Sequence, residues 1–164
     1  MALATLRNQI HTKVSGVTGV ANVYKYRRYV RTKTNPISAV QQTVEGEKRI
    51  HWWHIIVRDK IIKCDTNRTA RVYYRFHIEG FMSIKDGDGS VTEFENLADS
   101  VSESFLSDLD LGGNAFPGPH WDDGEEIGIP QVSFVEEDMD NSIALHKCII
   151  SILVSDSQLR SIST

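Results

Sequence analysis

Leu3, Leu6, Ile10 and Val14 recur at intervals of three, four and four residues. That spacing sets side chains on one stripe of an amphipathic helix, and Gly16 and Gly19 provide its stop. From Val20 to about Lys33 the period changes to two. Val23, Lys25, Arg27, Tyr29, Arg31 and Lys33 fall on one face of the predicted strand, and Tyr24, Tyr26, Arg28 and Val30 on the other, so one face is strongly basic. Thr34 to Glu47, with its Asn-Pro, Gln-Gln and Glu-Gly pairs, has no period and reads as a connecting loop. Arg49 to Asp59, RIHWWHIIVRD, is aromatic and β-branched on both faces, as a central strand is. Arg71 to Ile84 alternates most cleanly: Val72, Tyr74, Phe76, Ile78, Met82 and Ile84 oppose Arg71, Tyr73, Arg75, His77 and Glu79. These two strands are expected in the middle of a sheet.

Asp86 to Gly89 is a turn, after which Ser90 and Glu93 have the spacing of a capping box that opens a second helix. Phe94, Leu97, Val101 and Phe105 form its apolar stripe, and Gly112-Gly113 lies past its end. Gly112 to Glu126, GGNAFPGPHWDDGEE, is a long aperiodic loop of the kind that usually carries function. Ile127 to Val135 and Ile143 to Val154 read as closing strands, with Glu136 to Asp140 as the acidic turn between them and the last nine residues frayed. There is no internal repeat. Residues 1–164 are expected to form a single domain with long loops at about 34–47 and 112–126.

Composition is ordinary for a globular protein, at 40% hydrophobic and 24% charged, but the charge is unevenly distributed. Residues 1 to 85 hold 16 of the 18 Lys and Arg and 5 of the 22 Asp and Glu, a net +11, whereas residues 86 to 164 carry −15. The overall −4 conceals this division. Opposed poles on one small domain can steer identical copies together head to tail. The charges on the second helix, Glu93, Glu95, Asp99, Glu103 and Asp108, are all acidic, whereas a surface helix normally mixes signs for i,i+4 pairing. No apolar run approaches the length of a membrane span, and no signal peptide or membrane partner is expected. Cys64 and Cys148 form no CxxC or ligand spacing and are expected as two buried free thiols.

Specific chemistry is sparse. His51 and His54 stand three apart in a strand, which points them to opposite faces and argues against a metal pair. His77 and His146 are isolated, and His120 beside Trp121, Asp122 and Asp123 is a weak centre for a metal or hydrolytic site. Asp86, Asp88 and Ser90 begin like a calcium loop, but Val91 and Leu97 occupy the positions that require Gly and Glu. No Walker, GxSxG, dinucleotide or HExxH motif occurs, so no catalytic residue, metal or cofactor is assigned. The Tyr- and Arg-rich strand at 24–33 could bind nucleic acid through phosphate contacts and stacking. The −15 half disfavours that reading.

The opening LRNQIHTKVSGVTGVANVY, the central RFHIEGFMSIKDGDGS running into FENLADSVSESF, and the closing ALHKCIISILVSD together resemble the small ring-forming neck and tail proteins of tailed bacteriophages, with the tail terminators nearest. The resemblance implies an α+β fold, a twisted and mainly antiparallel sheet of four to five strands packed against two amphipathic helices. It also implies a virion protein, assembled in the host cytoplasm, whose homohexameric ring caps the tail tube and joins it to the head connector or stopper. Such a protein has no catalytic residues or cofactor, and DNA passes through the ring without specific binding. On this reading Lys25, Arg27, Arg28, Arg31 and Lys33 form the basic side of a subunit interface. Glu93, Glu95, Asp99, Glu103, Asp122, Asp123, Glu125 and Glu126 form its acidic side or the lumen. A stopper or adaptor of the same neck, and a nucleic-acid-binding module, are the alternatives.

Overall fold

A computed structural model describes residues 3–27, 41–44, 47–66, 69–84, 89–108, 111–112, 129–139, 143–156 and 160–161. The chain runs α1 (Leu3–Gly16), β1 (Val23–Tyr24), β2 (Gln41–Val44), β3 (Glu47–Thr66), β4 (Thr69–Ser83), α2 (Ser90–Leu106), β5 (Gln131–Met139), β6 (Ile143–Ser155) and β7 (Arg160–Ser161). The sheet order is β1-β3-β4-β6-β5, with β2 added to β3 and β7 to β4. Among the described residues only β1 and β3 pair in parallel, and the other pairings are antiparallel. The fold is α+β, as the sequence led us to expect.

Both helices pack on one face. Leu6, Ile10 and Val14 of α1 and Phe94, Ala98, Val101 and Phe105 of α2 are buried against Trp53, Ile55, Phe76, Ile78 and Ile150 of the sheet. Ala98, not Leu97, completes the buried α2 stripe, while Leu97 packs at its margin. Lys13 ties the helices together through the Ser104 carbonyl at 3.1 Å and Asp108 at 2.8 Å. Trp53 lies flat across the middle of this core because its neighbour on β4 is Gly80: a Cβ there would sit 2.6 Å from the indole ring.

The edge of β3 changes partner at Asn22. This residue takes a left-handed φ of 51°. Its amide nitrogen donates to the His51 carbonyl at 2.9 Å, and its carbonyl accepts from Trp53 N at 3.1 Å. Asn tolerates that conformation better than most residues, and its side chain satisfies backbone groups between β2 and β1.

Several expectations are corrected. The basic strand at 20–33 ends at Tyr24; Lys25 and Tyr26 bend, and residues 28–33 lie outside the described residues. Distant partners account for this: Arg7 of α1 sits 4.7 Å over the Tyr26 ring, while Arg27 reaches Glu79 on the opposite face of the sheet. The loop at 34–47 contains β2, which forms a hairpin with the start of β3. Glu136–Met139 belongs to β5, paired through Met139↔Ile143, rather than to a turn. Two of the supposedly frayed terminal residues form β7, and the Asp156 amide donates to the Val72 carbonyl at 2.8 Å. The capping box does not form. Gly89 caps α2 with φ 65°, Ser90 is drawn inward to His146, and Glu93 pairs with Arg49. Cys64 is exposed, near the end of the long β3 strand, while Cys148 is buried.

Candidate functional site

The face of the sheet away from the helices carries a second, smaller core. Ile50 and Trp52 of β3 meet Phe81 of β4 and Leu145 of β6, with Tyr24 alongside. Trp52 and Phe81 stack with centroids 4.4 Å apart and planes within 5°, an aromatic contact that adds to the area both rings bury. Lys147 Nζ lies 5.3 Å from the Phe81 centroid, within cation–π range.

Beside this cluster stands a buried charge network. The β3–β4 register puts His54 opposite Glu79, and His54 Nε2 lies 2.7 Å from Glu79 Oε2. Arg27 donates to Glu79 Oε1 at 3.0 Å. Glu79 is 4% exposed. Burial alone would raise its carboxyl, but the His54 hydrogen bond and the charges of His54, Arg27 and Lys147 outweigh burial and hold it at about 2. A carboxylate so strongly held is a poor base near neutrality.

Other titratable groups have equally physical explanations. His51 points to the helix-covered face, where Trp53 Nε1 donates to its Nε2 at 2.9 Å, and burial lowers it to about 4. The two histidines at 51 and 54 therefore face opposite ways, as strand periodicity requires. The Cys148 thiol is raised to about 12 by burial, partly offset by the Gly80 backbone, and is unreactive. His77 is lowered by burial and by nearby Arg58. Ser90 Oγ lies 3.0 Å from His146 Nε2, the first contact of a hydrolase relay, but Ser90 is 4% exposed and the His146 ring stacks on Phe94. A relay needs an accessible hydroxyl and a group that orients the histidine. This pair instead fastens the start of α2 to β6.

Exposed apolar side chains cluster at the β5 end of the sheet. A groove of about 250 Å³ between α2 and β5 is lined by Val91, Phe94, Glu95, Phe134, Val135, His146 and Lys147. Phe134 and Val135 are 47% and 46% exposed, and Val91 49%. At the other end, Ile62 of β3 is 60% exposed, among exposed Arg58, Lys60 and Cys64.

The residues singled out from sequence do not all converge. Glu95, Asp99 and Glu103 line the exposed side of α2. Glu93 and Arg27 are engaged within the chain, with Arg49 at 2.9 Å and Glu79 at 3.0 Å. Lys25 lies in a bend at the β1 edge. Arg28, Arg31, Lys33, Asp122, Asp123, Glu125 and Glu126, with His120, lie outside the described residues. Lys13–Asp108 and Arg49–Glu93 join the basic and acidic halves inside one copy, so part of the charge division is neutralised internally. Sequence reasoning missed Ile62, Phe134 and Val135. Their visible signal was large apolar residues beside charges in strands, but only the pairing shows which strands lie at an edge. Among the described residues no cluster of three metal-binding side chains occurs, and no helix is long and apolar enough to cross a membrane. No protein-family model and no curated protein matches the sequence.

Proposed function

We propose that the chain is a structural subunit that joins copies of itself into a closed ring, in the manner of the phage neck and tail proteins its order of elements resembles. The ring caps the tail tube and joins it to the head connector, with six as the expected copy number. One observation carries this reading: the two ends of the sheet are unlike. The β3–β4 arm from Arg58 to Arg75 contains six Lys and Arg against two Asp, whereas β5 contains three acids and no base. Each end also exposes large apolar side chains. Unlike surfaces on one subunit make heterologous contacts, which close into a ring when the rotation per copy divides a full turn. The exposed acids of α2 would then face the lumen or the neighbouring protein. A negative lumen repels phosphate and lets duplex DNA pass, the reverse of binding by counterion release.

The test is native mass spectrometry with negative-stain imaging of the purified chain, at low and moderate salt, alone and with tail tubes. A discrete closed oligomer, weakened by salt, is the expected result. A strict monomer under all of these conditions overturns the proposal.

A further inference from the structure

We infer that neighbouring copies join by main-chain pairing: the outer edge of β5 in one copy adds antiparallel to the outer edge of β3 in the next, with Phe134 opposite Ile62. This rests on the ring reading above and specifies its contact.

Both edges are open among the described residues. On β3, β2 covers Glu47–Ile50 and β1 covers only Trp53 and His54, which leaves Ile55–Thr66 without a strand on that side. On β5 the sole strand partner is β6. Open edges that also expose apolar side chains are ready templates for another strand.

Strand direction is compatible. Following the antiparallel pairings from β3 through β4 and β6 to β5 reverses direction three times, so β5 runs opposite to β3. A second copy in the same orientation beside β5 therefore presents its β3 antiparallel, and the existing ladder continues across the contact.

Register follows from the faces. The irregularity between Val57 and Asp59 leaves Arg58 unpaired and shifts the alternation, so that Lys60 pairs with Tyr74 and Ile62 with Val72. Tyr74 and Val72 belong to the helix-side core, so Lys60, Ile62 and Cys64 share that face. Val132 packs against the same core and Phe134 lies 6.5 Å from Phe94, so both are on the matching face of β5. A slip of one residue would set side chains of opposite faces against each other. A slip of two would place the exposed Phe134 against Lys60 or Cys64. With Phe134 opposite Ile62, Val135 meets Ile61, Glu136 takes the position opposite Lys60, and Val132 that opposite Cys64. Apolar residues then meet apolar ones, the cross-strand pairs that stabilise a sheet.

That last pair provides the test. Directly opposed residues have Cα atoms about 4.5 to 5.5 Å apart, within disulfide reach. Val132→Cys, oxidised with diamide as acceptor of the two thiol electrons, is expected to convert the bulk of the chain into covalent dimers and higher multiples on a non-reducing gel. Adding Cys64→Ser abolishes the ladder. Because neighbouring cross-strand pairs alternate in geometry, Ser133→Cys with Lys63→Cys in a Cys64→Ser background supplies a second pair on the other face. Rings in native mass spectra of these variants with no cross-link from either pair overturn the edge pairing and leave the ring reading intact. Monomers alone overturn both.

Discussion

The two faces of the sheet are held together by different physics. On the helix side, rings and aliphatic chains from both helices and three strands form a continuous core, and the histidines at its margin are held in hydrogen bonds: His51 with Trp53, and His146 with Ser90. On the other side, a stack of Trp52 on Phe81 is bordered by a carboxylate paired with Arg27 and hydrogen-bonded to His54. Burial and shape govern the first face, whereas charge balance governs the second. A buried ion pair adds little net stability over apolar packing, yet losing one partner strands the other in a poor solvent. The helix face should therefore respond most to volume, and the opposite face to the loss of a charged partner.

The largest effect is expected from volume. Phe76→Ala, which empties a site of 0% exposure under both helices, should cost about 3–5 kcal/mol, read as a lower urea midpoint. An equally large loss from an exposed site such as Phe134→Ala would break the distinction.

Charge comes next. Glu79→Gln leaves His54 and Arg27 without their acid and should cost about 2–3 kcal/mol, at the lower end for buried pairs because Arg27 is partly solvated. The two faces titrate in different pH intervals. The Glu79 carboxyl is depressed from 4.5 to about 2, and the His51 imidazole from 6.5 to about 4. In both cases the folded chain binds fewer protons than the unfolded chain, so stability present at neutral pH is lost on acidification. The His51 contribution should disappear between about pH 6.5 and 4, and that of Glu79 between about 4.5 and 2. Urea midpoints measured across pH should flatten in the first interval for His51→Gln and in the second for Glu79→Gln.

Gly80→Ala should cost about 1–3 kcal/mol, because the new methyl collides with the Trp53 ring inside a close-packed core. Pairing it with Trp53→Leu should recover part of that loss if the collision is the cause, a comparison made by a double-mutant cycle. The smallest effect belongs to the surface. Glu93→Gln breaks a contact with Arg49 in which the acid is 52% exposed, and should change stability by less than about 1 kcal/mol.

Both helices and the long strands were legible because each has one dominant period. Leu6, Ile10 and Val14 are buried as their spacing required, and the alternation of β4 separates the faces that the structure separates. Local patterns misled where a distant partner competed. Ser90 and Glu93 had capping spacing, but His146, 56 residues away, takes the serine and Arg49 takes the glutamate. The basic strand beyond Tyr24 alternated well, yet Arg27 follows the pull of Glu79. Of the candidate interface, the acidic side of α2 was readable as a run of one sign. The apolar edges were not, since an edge is a property of strand order and not of composition.

The sequence by itself determined the two amphipathic helices, the principal strands and the division of charge, because periodicity and charge are local properties of a chain. Only the tertiary structure decided that His54 and Glu79 are neighbours, that Trp53 lies on Gly80, that Cys64 is exposed, and that the far part of β3 and the outer side of β5 are edges among the described residues. Those facts depend on which strands pair and in what register, and pairing is set by contacts between residues far apart in the chain, whose combined free energy no short segment contains.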